Sequence, residues 1–243
     1  MPEGPSIVIL KEEIQSFKRK KIKKAGGNAK VELERLNNKT ILDIKSWGKH
    51  LLICFDKFYI RIHLLMFGSY RVNEKKASSP RLSLQFSKGE LNFYACSVQI
   101  IDGNPDEVYD WTGDIMSPSW NDKSAIKKIR QNPEMLVCDA LLDQAIFAGS
   151  GNIIKNEVLF RIALHPKSKL GKLPLKYIRA IVSETVNYSF DFLNWKKAFV
   201  LKKHWLAHTK KSCPRCKIPL HKEYPGKTKR RSFFCNNCQK LFA

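Results

Sequence analysis

Acidic residues are the scarce class in this chain of 243: 22 Asp and Glu stand against 44 Lys and Arg, a formal net charge of +22. So lopsided a balance disfavours a basic partner and favours a polyanion, nucleic acid first and an acidic membrane face second. Long apolar runs are missing, and so is an apolar stretch near the N-terminus. Neither a membrane span nor secretion is therefore expected, and the expected location is cytoplasmic, nucleoid-associated if the source is prokaryotic. There is no internal repeat or low-complexity tract. The length suits one large domain or two modest ones, each with its own core.

Cysteine is sparse until the tail. Cys54, Cys96 and Cys138 are scattered among apolar neighbours, as small buried residues in a reducing compartment are. Cys213-Pro-Arg-Cys216 and Cys235-Asn-Asn-Cys238 are different: two knuckles whose four thiolates can close a tetrahedron around one structural Zn2+, with a β-hairpin between them. His221 is a possible substitute ligand, but the four cysteines already complete the shell. A metal is needed because so short and polar a tail cannot bury enough to fold alone. The tail also carries many lysines and arginines against the single acid Glu223, which on a metal-held hairpin points to phosphate binding rather than to a merely solvated face.

The periodicity changes along the chain. Ile7, Leu10, Ile14 and Phe17 predict a first helix over residues 6 to about 17, followed by the basic run Lys18 to Lys24. Short β-branched and aromatic runs then predict strands at 40–47, 50–55, 59–64, 70–72, 81–86, 91–94 and 98–101. A linker is expected at Gly113 to Ser119, and helices near 121–131, 138–147, 152–163, 174–193 and 195–206. The expected class is α+β: an N-terminal β-rich half, an antiparallel sandwich or barrel, with flanking helices (1–117), a helical half (118–208) and a zinc-finger hairpin (209–243).

Two motifs carry chemistry. In Met1-Pro2-Glu3-Gly4-Pro5, trimming of Met1 would leave Pro2 as a secondary amine with a pKa of roughly 8, a free nucleophile near neutral pH. Such an amine forms an iminium that has no N–H to lose and so persists as an electron sink, with Glu3 placed to move the proton. The competing reading is that Pro2 and Glu3 only start a helix. In Gly149-Ser150-Gly151-Asn152, leading into Ile153 to Phe160, two glycines and an asparagine before a helix make either a phosphate cradle or an ordinary corner with an Asn cap.

Pro2-Glu3-Gly4-Pro5, Trp47-Gly48-Lys49-His50-Leu51-Leu52, the segment Leu141-Leu142-Asp143-Gln144 through Asn152, and the four-cysteine finger resemble, in this order, the formamidopyrimidine-DNA glycosylase and endonuclease VIII family. The resemblance implies a bifunctional base-excision repair enzyme acting on damaged double-stranded DNA as a monomer. The implied fold is a β-sandwich, a helix–two-turns–helix domain and a finger. It implies further that Pro2 is the Schiff-base nucleophile, Glu3 the acid/base and Lys49 the catalytic lysine. Asn152 would bind phosphate. Arg230, five residues before Cys235, would contact phosphate and assist the second elimination, with Arg231 beside it as the competing arginine. To reach the sugar such an enzyme rotates a nucleotide out of the duplex and fills the gap. His63-Leu64-Leu65-Met66-Phe67-Gly68 resembles the family's void-filling loop, with Met66 as the wedge and Leu65 and Phe67 flanking. A buried strand end is the alternative there.

The stretch Ala95-Cys96-Ser97-Val98-Gln99-Ile100 lacks the arginine and phenylalanine of the family's oxidised-purine branch, and little chain separates the last long helix from the finger. Both departures, with Gly4, favour oxidised pyrimidines. Met66 resembles the purine branch, and Ser6 stands where most relatives have glutamate.

Overall fold

Short β-branched and aromatic runs between positions 43 and 102, joined by a three-residue strand at Lys24–Gly26, form two four-stranded antiparallel sheets in the computed structural model, which describes residues 2–243. One sheet runs β2 (Asp43–Trp47), β3 (His50–Cys54), β4 (Phe58–His63), β8 (Ser97–Asp102). The other runs β1 (Lys24–Gly26), β6 (Leu82–Gln85), β7 (Glu90–Tyr94), β5 (Ser69–Val72). With period two, Ile44, Leu51, Ile53, Ile60, Ile62 and Val98 of the first sheet meet Leu82, Leu84, Leu91 and Phe93 of the second in one core. Helix α1 (Gly4–Glu13) adds Ile7 and Leu10 to that core and packs on β2 and β3. The outer face of the β2–β3–β4–β8 sheet is also covered. Leu52 and Tyr59 are buried there, and Tyr109, just after the short helix α2 (Pro105–Val108), lies 6.2 Å from the Tyr59 ring.

The chain divides into two compact units, one ending at Asp110 and the other running from Trp111 to Ala243. The second holds α3 (Asp122–Arg130), α4 (Val137–Ala140), α5 (Asn152–Arg161) and α6 (Leu175–Lys197), then the hairpin β9 (His221–Glu223) and β10 (Ser232–Phe234). Ile129, Val137, Leu141, Phe147, Ile154, Val158, Ile181 and Phe192 share its main core. The α+β class, the sandwich and the cysteine-bearing hairpin expected from the sequence are present.

Several expected elements differ. The segment read as a linker is part of the second unit: Asp114 is buried and bridges Ala148, and Ile115 is in the core. The helix expected over 138–147 stops at Ala140. Asp143 closes a turn by accepting from the Ala145 N–H (2.8 Å) and, through its carbonyl, from Phe147 N–H (2.9 Å), an Asx-type competition that the apolar spacing concealed. The helix expected at 195–206 is reduced to a single 3-10 turn at Leu201–His204. Helix α6 continues to Lys197 and ends where Phe199 adopts φ 59°, with Val200 N–H on the Trp195 carbonyl at 2.9 Å. Strand β1 was unforeseen, being three residues at the end of a basic run, held extended by pairing with β6. No helix among the described residues is long and apolar enough to cross a membrane.

Candidate functional site

Pro2 and Glu3 form the entry to α1. Glu3 is extended (φ −121°, ψ 173°), and its carbonyl accepts the Ser6 N–H at 2.8 Å. Glu3 is buried and stands at the N-cap position, yet its carboxylate makes no capping hydrogen bond. An acid retained only to start a helix would accept from the second or third helical N–H. Pro5 in the first turn supplies the helix start without it. Met1 lies outside the described residues.

Lys49 sits in the two-residue connection between β2 and β3, where Trp47 pairs with His50 and Gly48 takes φ 53°, a conformation that favours glycine. Two imidazoles flank this turn, His50 and His63, 5.4 Å apart on paired strands. Burial, then the charges of Arg61, His63 and Lys49, push His50 down to about 4. Burial and the cations Lys49 and Arg61 lower His63 as well. Both rings are therefore neutral at pH 7 and add no charge beside the lysine. Tyr109 roofs the cluster, 5.0 Å from the Trp47 ring, and the indole N–H of Trp47 donates to the Asp110 carbonyl at 2.9 Å.

Beyond β4, Leu64 is buried, but Leu65, Met66 and Phe67 project from a turn, Phe67 being 83 % exposed. Three large apolar side chains in a row at a loop tip are not a strand end packed in the sandwich. The loop is held at its root: Leu65, at φ 50°, donates its N–H to His63 Nδ1 (3.1 Å), and Gly68 N–H reaches the Leu64 carbonyl (2.7 Å). A side chain at position 68 would collide with that carbonyl.

In the second unit Gly151, not Asn152, caps α5, and Asn152 is the first helical residue. Of the two readings of this corner, the Asn cap does not occur: the cap is a glycine. Asn152 is buried, and its Oδ1 and the Ser150 hydroxyl have no hydrogen-bond partner among the described residues. An unpartnered amide oxygen and hydroxyl at the start of a helix are suited to an external hydrogen-bonding group.

The ligand atoms of Cys213, Cys216, Cys235 and Cys238 lie within 4.8 Å of one another, and none is in a disulfide. Cys216 N–H points at Cys213 Sγ (3.4 Å) and the Asn237 amide at Cys216 Sγ (3.2 Å), donors that suit thiolates. Four soft donors in this space fit one zinc ion. His221 is turned away from ligation, hydrogen-bonded through Nε2 to Asn236 (3.1 Å) and stacked on Phe234. Arg230 and Arg231 lie on the hairpin loop; Arg231 Nε reaches the Tyr224 hydroxyl at 3.3 Å.

Sequence reasoning missed Asp139, Lys155, Asn156 and Glu157, all buried. Polar residues in an amphipathic-looking helix signal solvent, and nothing local shows that these three on α5 face inward.

Comparison with known proteins identifies the family. Residues 1–96 match the formamidopyrimidine-DNA glycosylase N-terminal domain and residues 114–189 the formamidopyrimidine-DNA glycosylase H2TH domain. The chain belongs to the formamidopyrimidine-DNA glycosylase and endonuclease VIII family. Among relatives, mouse endonuclease 8-like 3 is 30 % identical over 217 residues, covering 86 % of this chain and 36 % of that protein. Bovine endonuclease 8-like 2 is 34 % identical over 197 residues, covering 74 % and 58 %. The chain thus spans about a third of the length of the endonuclease 8-like 3 relatives. The Lactococcus lactis formamidopyrimidine-DNA glycosylase bound to abasic-site DNA has the same fold, with TM-score 0.85, 21 % identity and coverage of 98 % of this chain and 99 % of that one. Only Ala95 (φ 48°) and Cys96 separate β7 from β8, so the chain crosses from one sheet to the other in two residues.

Proposed function

We propose that this chain is a bifunctional DNA glycosylase and AP lyase that removes oxidised bases, pyrimidines in preference, from duplex DNA. The observation that carries the reading is the Glu3 carboxylate, buried at a helix entry it does not cap, directly after Pro2. With Met1 removed, the Pro2 nitrogen attacks C1′ and the damaged base departs. Glu3 passes a proton to the ring oxygen, the sugar opens, and an iminium forms. That cation acidifies C2′, so loss of the C2′ proton expels the 3′ phosphate; a second elimination frees the 5′ side, and water releases the proline. Lys49, beside two neutral histidines, is the cation for the flanking phosphate and for proton transfer. Asn152 and Arg230 hold phosphates, with Arg231 alongside, and Leu65, Met66 and Phe67 fill the space left by the rotated nucleotide. Zinc on Cys213, Cys216, Cys235 and Cys238 is structural and holds the hairpin.

Support for pyrimidines comes from the stretch that crosses from β7 to β8, which lacks the arginine and phenylalanine of the oxidised-purine branch, and from the short connection after α6, which leaves little room for a loop to cap an everted purine. Met66 on the tip favours the oxidised-purine reading as a second possibility. The test is borohydride trapping on duplexes carrying thymine glycol, 8-oxoguanine or an abasic site, with the N-terminus verified by mass. A covalent band strongest with thymine glycol is expected and is lost in Pro2→Gly. No band on any substrate would leave a noncatalytic DNA-binding protein, and a band far stronger with 8-oxoguanine would reverse the preference. Sedimentation of the complex should report one chain per duplex.

A further inference from the structure

The loop of the finger hairpin, residues 224–231, is fastened by side chains from two distant helices rather than by its own strands. On one side Asp139 of α4, only 8 % exposed, accepts from Lys227 N–H at 2.9 Å, Thr228 N–H at 3.1 Å and the Thr228 hydroxyl at 2.7 Å. Gly226 (φ 75°) lies so close that a Cβ there would sit 2.2 Å from Asp139 Oδ2. On the other side Lys155 of α5, fully buried, directs Nζ to the Ser232 hydroxyl (2.8 Å), the Arg231 carbonyl (3.0 Å) and the Arg230 carbonyl (3.4 Å). Asn156 completes this side, donating to the Arg231 carbonyl at 3.2 Å and accepting from Phe233 N–H at 2.8 Å. Arg230 therefore lies between two points at which the backbone is fixed from outside the finger.

Two features argue that this fastening serves more than folding. A buried lysine and a buried carboxylate are expensive ways to pack a core, which apolar residues fill at least as well. Both are aimed at main-chain groups of a loop crowded with Lys227, Lys229, Arg230 and Arg231. A loop so rich in like charge repels itself open, and ordering it on binding lowers affinity. Fixing it beforehand removes that penalty and sets the guanidinium where a phosphate will lie.

We propose that Asp139 and Lys155 are positioning residues for Arg230, so that the helical segment and the finger act as one preorganised phosphate clamp. The proposal rests on the reading of Arg230 as a phosphate contact, and the test separates the two. Asp139→Ala and Gly226→Ala attack the same contact from opposite sides, and Thr228→Val removes a single hydrogen bond should the others fold poorly. In the free, zinc-loaded protein, each variant is expected to open the loop to trypsin at Lys227 to Arg231 while keeping one zinc per chain. Binding to a duplex holding a tetrahydrofuran abasic analogue should be roughly tenfold weaker in Asp139→Ala, the order expected for a loop ordered only on binding. KM for an abasic duplex should rise more than kcat falls. Adding Arg230→Ala to Asp139→Ala should produce little further loss, the signature of two residues acting through one contact. Unchanged trypsin resistance in all three variants, or losses that simply add, would overturn the proposal. Wild-type binding by Arg230→Ala alone would overturn the role of Arg230, while the trypsin result would still judge the fastening.

Discussion

Lys49 and Arg230 are both cations carried on hairpins, yet they are held by opposite means. Lys49 occupies a two-residue turn between adjacent strands, and Gly48 at φ 53° is enough to shape it. Arg230 lies in a longer loop whose anchors, Asp139 and Lys155, are 88 and 76 residues away from the groups they hold. The same contrast separates the two units. The sandwich is filled by an apolar core, whereas the second unit buries Asp139, Lys155, Asn156 and Glu157 and satisfies them with main-chain groups of the finger and its approach. Apolar packing tolerates exchange among similar volumes; a hydrogen-bonded charge does not, because each lost partner leaves another group stranded.

The largest effect should come from the metal. Cys213→Ser, or a strong chelator, is expected to unfold the finger hairpin, since structural zinc contributes on the order of 10 kcal/mol to such folds. Metal content and trypsin sensitivity of residues 209–243 would report it, with the sandwich unaffected. Persistence of a protected finger without metal would break the comparison.

Shape-conserving substitutions sharpen it. Leu51→Met in the sandwich core should lose less than about 1.5 kcal/mol. Glu157→Gln should lose about 2–3 kcal/mol, because Glu157 accepts from the N–H groups of Leu206, Ala207 and His208 at 2.8–2.9 Å and an amide offers one acceptor fewer. Urea unfolding of the two variants measures both; equal losses would show that the units are not built differently.

Each unit also holds a histidine depressed in the same way. His50 and His208 are both held at about 4, mainly by burial, with Arg61 the next cause at His50 and Lys155 at His208. A folded-state value below the unfolded 6.5 means that the unfolded chain binds the proton first. Stability is therefore full above pH 6.5 and falls as pH drops from 6.5 to about 4, by about 2–3 kcal/mol for each histidine. Replacing His50 with Gln should flatten its share of that loss in chemical denaturation at a series of pH values; a slope unchanged in this window would sink the assignment.

The smallest effect has the opposite sign. Phe199 is 95 % exposed and holds φ 59° at the end of α6, where glycine is the easier residue. Phe199→Gly should stabilise the second unit by about 1 kcal/mol, read as a higher Tm.

The strands of the sandwich were legible because sheets favour β-branched and aromatic residues and turn residues mark where each run stops. β1 was not legible: Lys24-Ala25-Gly26 is too short and too basic to signal anything before β6 pairs with it. The helix expected over 138–147 failed because the Asp143 side chain competes for the backbone, a choice that apolar spacing does not register. Of the candidate site, the cysteine knuckles were visible as spacing and Pro2-Glu3 as an imino acid beside a carboxylate, whereas Lys49 was visible only through the resemblance to the family. The four buried residues that support the finger were invisible, their partners lying far off in sequence.

What the chain fixes locally is the period of its strands, the metal-ligand spacing of its tail and the glycine turns, since each depends on neighbours within a few residues. Only tertiary structure decides that Glu3 is buried without capping its helix, that Asn152 yields the cap to Gly151, and that a lysine and an aspartate go inward to hold a loop. Those outcomes depend on which polar groups meet after the chain has folded, and hydrogen bonds spanning 76 to 89 residues leave no trace in local pattern.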